Sequence, residues 1–184
     1  MPLTNQSDRY GWISVSFHWG VALVVFGLFG VGLYMVGLGY YDPLYNRLPH
    51  WHRSVGILLA LVVVLRLVWR WISPPPPPLP SHSRWEQRLA KTAHGLLYVL
   101  LFALMLSGYL MSTADGRGFS VFGWFEMPAL MGRRPGLEDT AGDAHEWIAW
   151  SLMALVALHV AGALKHHFID RDATLRRMFG MRAQ

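Results

Sequence analysis

The chain has 184 residues, 53% of them hydrophobic and 15% charged, and its sixteen Lys and Arg exceed its eleven Asp and Glu. It has no cysteine, which excludes disulfides, iron–sulfur clusters and covalent C-x-x-C-H haem attachment. A net charge of +5 raises nucleic acid as a partner, but the basic residues sit between long apolar blocks. Membrane lipid is therefore the expected surrounding, and no nucleic-acid partner is expected.

The apolar blocks fall near residues 12–38, 54–72, 92–114 and 147–164. The first run reaches from Gly11 to Tyr41 with His18 as its only ionisable group besides tyrosines. About 20 apolar residues suffice to cross the hydrocarbon of a bilayer. A soluble bundle would show a polar stripe on each helix, and the first, third and fourth blocks show almost none. A cleaved signal peptide is not expected, because the apolar run is too long and no A-x-A-like site follows it. The predicted fold is all-α: an integral membrane four-helix bundle forming a single domain over 1–184.

Between the blocks, PPPPPLP at 74–80 ends the second helix, since proline lacks the amide donor and pushes its predecessor out of helical geometry. It reads as a stiff polyproline II spacer. The connection 115–144 contains VFGWFEMPALM, whose aromatics suit a segment lying in the membrane interface. The tail, DRDATLRRMFGMR, reads as a basic stretch on the inner membrane surface.

Four spans put both termini on one side, and Lys and Arg select which. Arg9, Arg66, Arg70, Arg84, Arg88, Lys91, Lys165, Arg171, Arg176, Arg177 and Arg182 fall on the terminal side, eleven in all, against five on the other: Arg47, Arg53, Arg117, Arg133 and Arg134. Both termini are therefore expected in the cytoplasm.

This topology gives each histidine a depth. In HEWIAWSLMALVALH, His145 and His159 are fourteen residues apart. Fourteen residues turn a helix about 40° short of four full turns and advance it ~21 Å. The two imidazoles share a face but cannot share one metal ion. Two levels result: an outer one offering His145 with His52 or His50, and an inner one offering His159 with His18 or His94. Facing imidazoles at two levels are what two bis-histidine haems b require, each neutral ring giving one nitrogen to iron while the other N–H finds an acceptor. Gly27, Gly30, Gly56 and Gly162 offer clearance for a macrocycle, or else close helix packing. Arg66 lies fourteen residues after His52, on the same face, with Arg70 four further on. An arginine inside a span costs ~2.5–3.5 kcal/mol on insertion scales and usually has a partner. Haem propionates would supply one, and snorkelling to headgroups is the competing account. His50, His82, His166 and His167 read as ordinary helix-end histidines.

Taken in order, SFHW at 16–19, HRSVGI at 52–57, LRLVWR with the proline run, AHGLLYVLLF at 93–102, HEWIA…LH at 145–159 and KHHFIDRDATLRRM at 165–178 resemble the prokaryotic cytochrome b561 family, itself similar to the cytochrome b subunits of hydrogenases and formate dehydrogenases. The resemblance covers nearly the whole chain. It implies a bacterial inner-membrane dihaem cytochrome that exchanges electrons with quinone. It assigns His18 and His159 to the inner iron and His52 and His145 to the outer one, both haems being non-covalent. His94 matches a helix-3 histidine of variable role and is a candidate quinone-site group, not a ligand. Some stand-alone relatives are linked to superoxide oxidation. An anionic donor favours a positive outer surface, yet the outer segments carry five basic residues against Asp42, Asp115, Glu126, Glu138, Asp139, Asp143 and Glu146, a balance of −2.

The leading expectation is an oxidoreductase-type electron carrier between an unidentified donor and the quinone pool. A membrane anchor for a separate dehydrogenase or hydrogenase would look alike, as would a homodimer or a complex with a partner subunit. A histidine-using metal transporter needs ligands converging at one depth, and these diverge into two. A purely structural subunit would leave the matched levels as coincidence.

Overall fold

The computed structural model describes residues 2–182. Four long helices dominate it: α1 (Trp12–Val36), α2 (Arg47–Ile72), α3 (Arg84–Ser112) and α4 (Leu137–Phe168), of 25, 26, 29 and 32 residues. Each is long and apolar enough to cross a membrane. Much of their large apolar surface is exposed, as at Leu23, Phe26, Leu61 and Leu158, a pattern that suits lipid and not water. α2 starts seven residues before the expected apolar block and α3 eight before it, both on polar turns. α4 likewise extends the fourth block at both ends, while α1 and α3 stop two residues short of the expected limits.

Local chemistry sets these limits. Pro49 lies in the first turn of α2, where its missing amide costs nothing. Ser73 and the prolines behind it end α2. Ser83 and Glu86 open α3 with a reciprocal capping box: the Ser83 amide donates to the Glu86 carboxylate at 2.9 Å and the Glu86 amide to Ser83 Oγ at 3.3 Å. α4 carries Glu138 and Asp139 in its first turn and Lys165, His166 and His167 in its last, matching its dipole.

The aromatic connection is not simply an interfacial coil. It forms a two-stranded antiparallel hairpin, β1 (Phe119–Val121) with β2 (Phe125–Met127), pairing Phe119 with Met127 and Val121 with Phe125. Its turn holds Phe122 at φ 52° and Gly123 at φ 75°. The Phe122 amide donates to the fully buried Ser54 hydroxyl, which itself donates to the His50 carbonyl. Among the described residues the tail forms one short helix, α5 (Thr174–Arg177).

The chain forms two compact units, one built from the segments up to Val21, Val62–Val99 and Leu152 onward, the other from Ala22–Leu61 and Leu100–Ser151. In the first unit the proline run is anchored from both ends of the chain. Asn5 Nδ2 donates to the Ser73 and Pro74 carbonyls at 2.8 and 3.1 Å, and the buried Arg177 donates to the Pro77 carbonyl at 3.0 Å. The Trp19 indole donates to the Met178 carbonyl and stacks on Phe179. Burial pushes the Asp172 carboxyl up, but hydrogen bonds from Thr174 and His82 outweigh this and hold it below its ordinary range.

Candidate haem-binding sites

In the second unit His52 from α2 faces His145 from α4, with ring centres 6.2 Å apart. His50, the other candidate at this level, instead lies edge-on to Phe122. His145 Nδ1 is 3.0 Å from the Leu104 carbonyl and 3.1 Å from Ser107 Oγ, both on α3. A carbonyl can only accept, so Nδ1 carries the proton and the Nε2 lone pair is left for a metal. The sequence reading missed Ser107 and its neighbour Gly108. A methyl on Gly108 would lie 3.0 Å from His145 Cε1 and 3.2 Å from Nδ1, so glycine is what admits the ring. At Gly32 a methyl would make only ordinary contact with the His52 ring, at 3.6 Å. The adjacent small residues Ser107 and Gly108, set between Leu106 and Tyr109, were the signal available in the sequence. His52 Nδ1 is buried without a hydrogen-bond partner.

In the first unit three histidines meet. His159 from α4 lies 6.3 Å from His18 of α1 and 5.1 Å from His94 of α3, ring centre to ring centre. Arg66 reaches this cluster, its guanidinium 3.1 Å from His18 Nδ1. Arg66 and Arg70 both lie over the Tyr98 ring, at 5.5 and 6.0 Å. Among the described residues neither arginine is paired with a carboxylate. Two guanidinium groups in a membrane helix thus have aromatic and imidazole neighbours but no counter-ion among the described residues.

These donor sets fit a b-type haem. Two imidazoles on opposite sides of one iron, each with a metal–nitrogen bond of about 2 Å, place their ring centres roughly 6 Å apart. A methyl at Gly27, Gly30, Gly56 or Gly162 would meet no heavy atom within 4 Å. These four glycines therefore do not serve close helix packing, and they leave smooth surface along the helices.

Four apolar spans with histidines paired between helices define a membrane cytochrome of the b type, a class built for electron transfer. The comparisons identify which. The family model described as prokaryotic cytochrome b561 matches residues 9–181, and the chain belongs to that family. It is 52% identical over 180 residues to cytochrome b561 homolog 2 of Escherichia coli (strain K12), covering 98% of this chain and 96% of the relative. It is 28% identical over 171 residues to the probable superoxide oxidase CybB of Yersinia pestis, covering 92% and 95% of the two chains. It is also 28% identical over 131 residues to cytochrome b561 homolog 1 of E. coli, covering 71% and 74%. The protein is accordingly a multi-pass membrane cytochrome of the bacterial inner membrane.

Proposed function

We propose that the protein binds two haems b and passes electrons between a donor and the quinone pool, with His52 and His145 holding one iron and His18 and His159 the other. One observation carries this reading: two histidine pairs, built from different helices, share ring separations of 6.2 and 6.3 Å. The His94–His159 separation is shorter, at 5.1 Å, which favours His18 as the ligand, with His94 beside the site. Haem b, when bound, supplies the one-electron redox couple; the chain supplies everything else. Leu104 and Ser107 fix the tautomer of His145. Arg66 and Arg70, which have no carboxylate partner among the described residues, would hold the carboxylates of the cofactor. A guanidinium only donates, so while Arg66 contacts His18 Nδ1 the neutral ring keeps its proton on Nε2. With Arg66 engaged elsewhere, His18 could carry its proton on Nδ1 and offer the Nε2 lone pair. His94 is placed to bind or protonate a quinone next to the site. The eleven-to-five distribution of Lys and Arg supports cytoplasmic termini.

The test is spectroscopic. Purified protein should show a Soret band, sharp reduced α-bands and about two haems b per chain by pyridine haemochrome assay, and reduced protein should reoxidise on adding a water-soluble ubiquinone. Fully loaded protein with one haem would remove the two-site reading; a haem spectrum unchanged by quinone would remove the acceptor.

A further inference from the structure

A second histidine cluster lies outside the haem-level pairs, where the residue before the α3 cap, the last turn of α4 and the tail come together. His82 Nε2, His166 Nδ1 and an Asp172 carboxylate oxygen all lie within 4.8 Å of one another. Asp172 Oδ2 is 2.9 Å from His82 Nε2 and 3.2 Å from His166 Nδ1. The His82, His166 and Asp172 side chains are only 15%, 17% and 9% exposed.

Hydrogen bonding accounts for part of this cluster. His82 and Asp172 form an aligned pair, and Thr174 Oγ1 sits 3.2 Å from the same His82 nitrogen. His166 is different. Its Nδ1 is buried and lies 2.7 Å from Asp170 and 3.2 Å from Asp172, yet makes an aligned hydrogen bond with neither. Short separation without alignment is expected where donor atoms are directed at a common point between them, not at each other. The His82 and His166 rings are 4.4 Å apart with planes tilted by 33°. Lys165 occupies the neighbouring carboxylates, at 2.7 Å from both Asp170 and Glu86, and among the described residues no Lys or Arg pairs with Asp172.

We propose that His82, His166 and Asp172 bind one divalent transition-metal ion of the zinc type, which ties the start of α3 to the end of α4 and the tail. Two imidazoles and one carboxylate with a fourth position open form a zinc donor set, and imidazole selects against magnesium and calcium. None of the three residues is among those assigned to the haem pairs.

The experiment uses the full haem-loaded chain with a tag free of histidine, stripped with a chelator and dialysed against dilute zinc. Zinc is counted by plasma mass spectrometry, and haem is counted in the same samples. The expected result is about one zinc per chain in the wild type, at least tenfold less in Asp172→Asn and His82→Ala, and no change in His167→Ala. Haem content stays constant throughout, so failure of the zinc site is distinguished from failure of the haem assignment. Zinc should also raise the Tm of the wild type and leave that of Asp172→Asn unmoved. Should His82→Ala not fold, His166→Gln takes its place in the same assay. A wild type that retains no zinc above background, or folded variants that retain it in full, overturns the proposal.

Discussion

In the second unit, His145 is held by groups that carry no formal charge: a backbone carbonyl, a serine hydroxyl and a glycine that makes room for the ring. In the first unit, a guanidinium lies against His18, with a second arginine and a third histidine close by. The ring separations are nearly equal, but the means of holding them differ. A neutral clamp fixes orientation and tautomer and leaves the local field almost unchanged. A charged clamp sets a field, since positive charge favours the reduced form of a bound redox centre. On the proposed dihaem reading, the second unit would hold its ligand rigidly and the first would tune the field at its site.

The comparison is broken most directly by removing ligands. His52→Ala and His145→Ala should each reduce haem from about two per chain to about one, as should His18→Ala and His159→Ala, with two distinct residual spectra paired by unit. His94→Ala should keep both haems and slow quinone turnover. Loss of one and the same haem in His94→Ala and His159→Ala, with His18→Ala fully loaded, would transfer the ligand role from α1 to α3.

Gly108→Ala tests the neutral clamp. Its methyl would press within 3.0 Å of the His145 ring, an overpacking cost of about 1–3 kcal/mol. Haem loss on dilution or chase should rise roughly tenfold at the second-unit site alone. Gly32→Ala, whose methyl would make ordinary contact at 3.6 Å, should change little. Equal losses at both haems would refute the clamp.

Arg66→Gln tests the charged clamp. Redox titration should show one midpoint lowered by tens of mV and the other unmoved. A shift of both midpoints by the same amount would mean that Arg66 acts on the whole protein and not on one unit.

The smallest effect belongs to Ser107→Ala. The Leu104 carbonyl still accepts from His145 Nδ1 in that variant, so the loss of haem affinity should stay below about tenfold. A loss as large as that of His145→Ala would show that the hydroxyl, and not the carbonyl, fixes the ring.

The four spans were legible because each carries an apolar run that only lipid or a large core could accommodate. Topology and helical phase sorted the histidines into two levels but left His50 and His94 as alternatives; only the family resemblance selected His52 with His145 and His18 with His159. The early start of α2 was not legible, because Arg47, Pro49 and His50 lower the hydropathy that marks a span without preventing a helical turn. The hairpin was hidden for another reason. Its turn places a phenylalanine at positive φ, which local propensity argues against and a tertiary hydrogen bond to Ser54 helps to hold. The same limit concealed the His82, His166 and Asp172 cluster. Its members are distant in sequence, and each alone reads as an ordinary helix-end or tail residue.

The proline run has a consequence for handling the protein. Pro74 to Pro78 bring carbonyls but no amides, so only donors can moor them, and the side chains that do so are Asn5 and Arg177. A connector in the middle of the chain is thus kept in place by residues near its two extremities. A purification tag or trimmed residues at either extremity would be felt some seventy to a hundred positions away. Protease cutting between Pro78 and Ser83 would report such slackening before any change in the visible spectrum.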